Sequence, residues 1–253
     1  FMREHFKYLL SNTNQIAKFC IPAPGMTYLR SGRAGISKEI YPNLSEFWDD
    51  VVAAYANEVR KLYDIGCRYL QFDDVSFAYL CDKEFREGVV QRGDAPNEMV
   101  ETFATAISRA IVDRPNDMTV TTHMCRGNFQ STWMTQGGYA PVADIMFGNL
   151  DVDGYFMEYD SDRAGDFEPL QFVRDDQIIV LGLISSKVPE LETKEEIMRR
   201  LEEATRYVPI ENICLSPQCG FSSTHHGNKL SMGDQKRKLE LVVNVAQDTW
   251  GDT

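Results

Sequence analysis

Apolar positions along this chain fall into two kinds of segment. Some are short, nearly unbroken apolar runs, and others are longer stretches with apolar residues at helical spacing. Strand-like runs lie at 19–22, 68–72, 117–122, 154–157, 177–183 and 212–216. Helical spacing covers residues 2 to about 19, where Phe6, Leu9, Leu10, Ile16 and Ala17 carry the pattern, at least in its first half. It returns at 46–65, 77–90, 97–112, 194–207 and 234–246. Shorter helices or turns are expected at 141–147 and 167–173, and residues 26–42 read as a loop. Asn43 or Ser45 is placed to cap the second helix and Gly66 to end it. Thr193 with Glu196 forms a capping-box pattern.

Strand and helix alternate strictly, and the strands are apolar on both faces. That pattern predicts a parallel sheet covered by helices. The expected fold is α/β, a (β/α)8 TIM barrel. Six strands are too few to close one, and two more βα units, roughly 60–100 residues, would complete it. The chain begins with Phe1, inside a helical pattern, so it is expected to lack the barrel's N-terminal strands. No repeat or low-complexity linker divides the chain, so residues 1–253 are expected to form a single domain.

Composition adds limits. Of 253 residues, 43% are hydrophobic and 25% charged, enough for a large core. The net charge of −12 and the absence of a basic patch exclude a nucleic-acid role. No apolar run is long enough to span a bilayer and no signal peptide is visible, so a cytoplasmic location is expected. The six cysteines lack the spacing of a disulfide framework and fit free thiols in a reducing compartment. Cys20, Cys67 and Cys214 lie in apolar runs and are expected as small core residues.

The chemistry gathers just after the strands. One β-branched run ends in His123-Met124-Cys125, and residues two apart on a strand point the same way. Another run ends in Asp73-Asp74, the next in Glu158, the fifth in Ser185-Ser186-Lys187, and the sixth in Pro217-Gln218-Cys219-Gly220. In a barrel these ends share one rim, where active sites lie. Taken singly, Cys219 could be a plain loop cysteine, Glu158 a rim carboxylate and Asp73 a helix cap. Taken together, His123, Cys125, Glu158 and Cys219 are a tetrahedral zinc set. A set containing a carboxylate opens more easily than four thiolates, and zinc keeps a bound thiol ionised near neutral pH.

These motifs resemble the catalytic barrel of cobalamin-independent methionine synthase. That family carries a His-x-Cys, a Glu after the next strand and a distal Cys-Gly as zinc ligands. Here they correspond, in order, to Thr122-His123-Met124-Cys125, Tyr155-Phe156-Met157-Glu158 and Ser216-Pro217-Gln218-Cys219-Gly220. Leu70-Gln71-Phe72-Asp73-Asp74 is similar to the segment whose first acidic residue holds the substrate amino group. The likeness spans nearly the whole chain and is greatest to short bacterial single-barrel proteins. Phrases such as Gly66-Cys67-Arg68-Tyr69-Leu70-Gln71 and Asp166-Phe167-Glu168-Pro169-Leu170 look like theirs.

The resemblance implies a zinc-dependent methyltransferase that methylates homocysteine to methionine. Zn2+ would be held by His123, Cys125, Glu158 and Cys219, and Asp73 would bind substrate. Three positions depart from the family. Ser31 stands in place of a pterin-holding Trp, Tyr79 in place of a folate-contacting Glu, and the proton-donor His would fall near Ile184. The methyl donor is therefore open among a methyltetrahydrofolate, a methylated corrinoid and another small methyl compound. His225 and His226 are candidate acids, against the plainer reading of an exposed loop pair, and Lys187 and Ser186 are weaker candidates. Two alternatives stand beside this reading. One is a zinc alkyltransferase for another thiol such as coenzyme M. The other is a non-catalytic barrel with structural zinc, against which Asp73 on the rim argues. The partners implied are small molecules, with a homo-oligomer left open.

Overall fold

A computed structural model describes residues 2–251. Phe1, and with it the reading of the chain's start, lies outside the described residues. The strands are β1 (Lys18–Pro22), β2 (Tyr69–Asp73), β3 (Thr119–Met124), β4 (Gly154–Glu158), β5 (Ile178–Ile184) and β6 (Ile213–Pro217). They form one parallel sheet in the order β1-β2-β3-β4-β5-β6. Each strand thus pairs with its successor through an intervening helical crossover, the strand order of a barrel wall.

The helices are α1 (Arg3–Ser11), α2 (Leu44–Asp64), α3 (Ser76–Tyr79), α4 (Lys83–Gln91), α5 (Pro96–Ile111), α6 (Ala143–Asn149), α7 (Lys194–Ala204) and α8 (Met232–Trp250). The helix-facing residues of β2, Leu70 and Phe72, are fully buried. Helices α2 and α5 pack together over this layer, with Trp48 and Phe103 ring centroids 5.8 Å apart. The other face of the sheet is concave and carries the polar strand residues, including Lys18, Gln71, Asp73 and His123.

Alternation explains why two expectations fail. Cys20 and Cys214 are exposed, not core, while Cys67 is buried as expected. Both exposed cysteines alternate onto the face away from the helices, which an apolar run alone does not reveal. The single helix expected at 77–90 is two helices. The chain breaks at Leu80–Asp82, where the Asp82 side chain accepts from Phe85 N at 3.0 Å and caps α4. Asn43 occupies the cap position of α2 but makes no side-chain cap bond. Residues 26–42 and 167–173 contain 3-10 turns, at Pro24–Thr27, Gly32–Gly35 and Glu168–Phe172. Thr193 accepts from Glu196 N at 3.2 Å, and a complete capping box opens α8 at Ser231 and Asp234.

Candidate metal centre

The site is built where β3, β4 and β6 end. His123 lies in the last turn of pleat in β3, and Cys125 follows one residue past the strand. Cys219 comes two residues after β6, and its sulfur is 3.6 Å from His123 Nε2. One ligand atom each from His123, Cys125 and Cys219 lie within 4.8 Å of one another. A tetrahedral zinc with Zn–S of about 2.3 Å and Zn–N of about 2.0 Å separates its ligand atoms by roughly 3.3–3.8 Å. The 3.6 Å between Cys219 Sγ and His123 Nε2 falls in that range, and one imidazole with two thiols is a donor set that zinc accepts.

Electrostatics within the cluster are strongly linked. A hydrogen bond from the Cys219 thiol, and then His123, hold Cys125 well below the usual thiol range despite burial. Cys219 is pushed well above that range because Cys125 takes the negative charge first, and burial adds to the shift. Burial lowers His123, but its bond to Cys125 and the charges of Cys125, Asp73 and Glu158 outweigh it, and the net shift is upward.

Glu158 is fully buried at the end of β4 and is not one of the three clustered donors. Its Oε2 accepts from Arg126 N at 2.6 Å and from Gln218 Nε2 at 3.0 Å. Its Oε1 faces Arg163 Nη2 at 3.3 Å and Lys187 Nζ at 3.7 Å. The same Gln218 nitrogen is 2.7 Å from Cys219 Sγ, so one amide links the carboxylate to the cluster. Arg126, itself fully buried, ties this shell together by donating to Tyr139 Oη at 3.2 Å and to the Glu158 carbonyl at 3.3 Å.

Asp73, His123, Cys125 and Cys219 line one cleft of about 790 Å³ on the concave face. Lys18, Arg30, Tyr79, Phe129, Phe156 and Gln218 are among its other walls. The cleft walls desolvate the Asp73 carboxyl and hold it above the ordinary carboxylate range, partly offset by His123. Asp74 points the other way, fully buried, and accepts from the Ser76 hydroxyl and from Ser76 N at 2.7 Å. His225 and His226 are exposed and do not line the cleft, although the His226 ring packs edge-on to Phe129 at 5.2 Å.

Residues 35–248 match the profile of the cobalamin-independent synthase catalytic domain. The chain belongs to that family. It is 45% identical over 98% of its length to the uncharacterized protein YxjG of Bacillus subtilis, of which it covers 66%. A crystal structure of a candidate vitamin-B12 independent methionine synthase from Listeria monocytogenes superimposes with a TM-score of 0.77 and 37% identity. That match covers 99% of this chain and 70% of the Listeria chain. A B12-independent methionine synthase from Shewanella shares the fold with a TM-score of 0.68 and 19% identity, over 98% of this chain and 66% of that one. The fold is thus the TIM-barrel-like α/β architecture of the family's catalytic domain. The chain spans about two thirds of the Bacillus relative.

Sequence reasoning passed over Gln218, Arg126 and Arg163. Their neighbours flagged the place, since Arg126 follows Cys125 and Gln218 precedes Cys219. Nothing local shows that both reach Glu158, which is 32 and 60 residues away from them.

Proposed function

We propose that the chain is a zinc-dependent S-methyltransferase acting on a small amino thiol, homocysteine by family kinship, in a single domain. The observation that supports this best is the meeting of His123, Cys125 and Cys219 in one cleft with Asp73. His123, Cys125 and Cys219 would hold the metal, with Glu158 as the fourth ligand. Bound zinc would supply a Lewis acid that keeps a substrate thiol ionised near neutral pH, ready to attack a methyl group.

The protein's own groups do the rest. Asp73, on the cleft floor, would take the substrate ammonium in a charge-assisted hydrogen bond and orient the thiol toward the cluster. Arg126, Arg163, Lys187 and Gln218 hold the Glu158 carboxylate in place before any substrate arrives. Tyr79 and Phe129 give the cleft aromatic walls against which a methyl donor could pack. The methyl donor stays open among a methyltetrahydrofolate, a methylated corrinoid and another small methyl compound, because by resemblance Tyr79 and Ser31 stand where the family has residues that hold its folate. His225 and His226 would need the loop after Cys219 to move before either could serve as an acid.

Metal analysis with a thiol titration tests the reading. Freshly purified, unchelated protein should carry about one zinc per chain, and its metal environment should gain a sulfur ligand when homocysteine is added. Zinc-free protein would overturn the assignment. Zinc whose environment ignores the thiol would favour a structural metal.

A further inference from the structure

Gln218 is 3% exposed and has all its hydrogen-bonding capacity committed. Its oxygen accepts from Lys187 Nζ at 2.6 Å and from Ser186 Oγ at 3.1 Å. Its nitrogen donates to Glu158 Oε2 at 3.0 Å and to Cys219 Sγ at 2.7 Å. An amide can be turned end for end at little cost in shape, which would exchange its donors for its acceptor. An ammonium group can only donate. Lys187, 2% exposed, therefore fixes the amide with its oxygen toward the lysine and its NH2 toward the carboxylate and the sulfur.

The lysine is itself held. The loop Ser185–Lys187 is fastened by Ser185 N to Glu192 Oε1 at 2.8 Å, and Glu192 pairs with the fully buried Lys238 of α8 at 2.9 Å. Asn228 Nδ2 donates to the Ser186 carbonyl at 2.8 Å. On the other side, Gly182 lets the chain bearing Gln218 come close. A side chain at Gly182 would meet Gln218 Cα and the Met157 carbonyl at 2.9 Å. The ladder between β5 and β6 shifts register at this point, and Gln218 N donates to the Ile184 carbonyl at 2.8 Å.

We propose that Gln218 and Lys187 are a positioning pair. The amide, held one way round by the buried ammonium, sets the places of Glu158 and Cys219 around the metal. This rests on the metal-centre reading given above. Gln218 reaches the cluster through Cys219, and Lys187 lies behind it, outside the residues that line the cleft. The pair acts by giving the two ligands that come from different strands a common hydrogen-bond partner, so that they reach the metal together. The N–H···S bond also withdraws charge from the Cys219 sulfur and tempers it as a donor. Outer partners of this kind typically change metal affinity 10- to 100-fold when removed.

The test compares wild type, Gln218→Met, Lys187→Met and the double variant. Zinc affinity is read by competition with a chelator, and the metal environment by the absorption of the cobalt(II)-loaded protein. Thermal unfolding of the metal-free chains checks that each variant folds. Gln218→Met should bind zinc about 10- to 100-fold more weakly and shift the sulfur-to-cobalt charge-transfer band. Lys187→Met should do the same by freeing the amide, and the double variant should lose clearly less than the sum of the two single losses, because the lysine acts mainly through the amide, its own contact with Glu158 being the longer one at 3.7 Å.

If Lys187→Met fails to fold, Gln218→Glu takes its place. It keeps the lysine contact but cannot donate, so it should lose at least as much affinity as Gln218→Met, and a smaller loss would overturn the proposal. Wild-type affinity with an unchanged cobalt spectrum in Gln218→Met, or additive losses in the double variant, would also overturn it. Wild-type protein that binds no zinc would overturn the metal-centre reading itself, and this proposal with it.

Discussion

Asp73 and His123 are register partners on neighbouring parallel strands, β2 and β3. Both stand on the concave face, and both line the cleft that contains the cysteine pair. A carboxylate and a metal-type imidazole are thereby held side by side by backbone pairing. Such an arrangement suits a substrate with an amine at one end and a thiol at the other.

From this pairing we expect Asp73→Asn to fold and to keep zinc but to bind homocysteine less well. A hydrogen bond to a charged group contributes about 1.5–3 kcal/mol, which corresponds to roughly a 10- to 150-fold loss of affinity. Calorimetric titration of the zinc-loaded variant measures it. Unchanged affinity would remove Asp73 from the substrate's surroundings.

The order and type of the elements were legible because continuous apolar runs alternate with helical spacing. The rim residues were legible too, since each follows a run directly. What was hidden is the cross-chain geometry. The runs around Cys20 and Cys214 looked like core, yet period-two alternation turns those two cysteines onto the open concave face. The expected site set also gave no reason to single out Gln218. A glutamine gains meaning there only because Lys187, 31 residues away, dictates which way its amide faces.

The break between α3 and α4 was likewise unseen, and it carries a second prediction. Asp82 caps α4 through Phe85 N with one oxygen, and its other oxygen accepts from Gln136 N at 2.8 Å. It thus fastens the long segment after Cys125 to the start of a helix. Asp82→Ala should lower stability by about 1–2 kcal/mol, the usual cost of a lost cap. Urea unfolding should show a lower midpoint with the same slope. A midpoint equal to wild type would mean that neither bond contributes.

Asp74 gives the protein a pH-dependent stability. Burial lifts its carboxyl to about 6, against the bonds from Ser76 and with Asp73 adding to the shift. An unfolded aspartate titrates near 3.9. Between those values the folded chain binds the proton more tightly than the unfolded chain does. This contribution is therefore fully present below about pH 4 and is lost as pH rises through about 6. A shift of roughly two units bounds it at about 3 kcal/mol. Asp74→Asn keeps an oxygen for Ser76 and cannot ionise. The stability of wild type relative to the variant should accordingly fall from pH 4.5 to pH 7. Parallel stability curves in urea would show that Asp74 does not titrate in this range.

The proton count of metal loading offers a direct check on the cluster. In the metal-free cluster Cys125 ionises first, while Cys219 keeps its proton because its neighbour already holds the charge. A zinc ion needs both sulfurs as thiolates and His123 as a neutral imidazole. Loading should thus expel the Cys219 proton, together with whatever fraction of a proton His123 carries through its upward shift. We expect zinc binding near pH 7 to release between about one and two protons. Apparent affinity should climb at least about tenfold per pH unit over pH 6 to 7.5. Calorimetry in two buffers of different ionisation enthalpy gives the first number, and chelator competition across pH gives the second. Cys219→Ser should lose most of the zinc and should not show the same proton release. Binding that releases no proton and ignores pH would mean that the metal does not engage the cysteine pair.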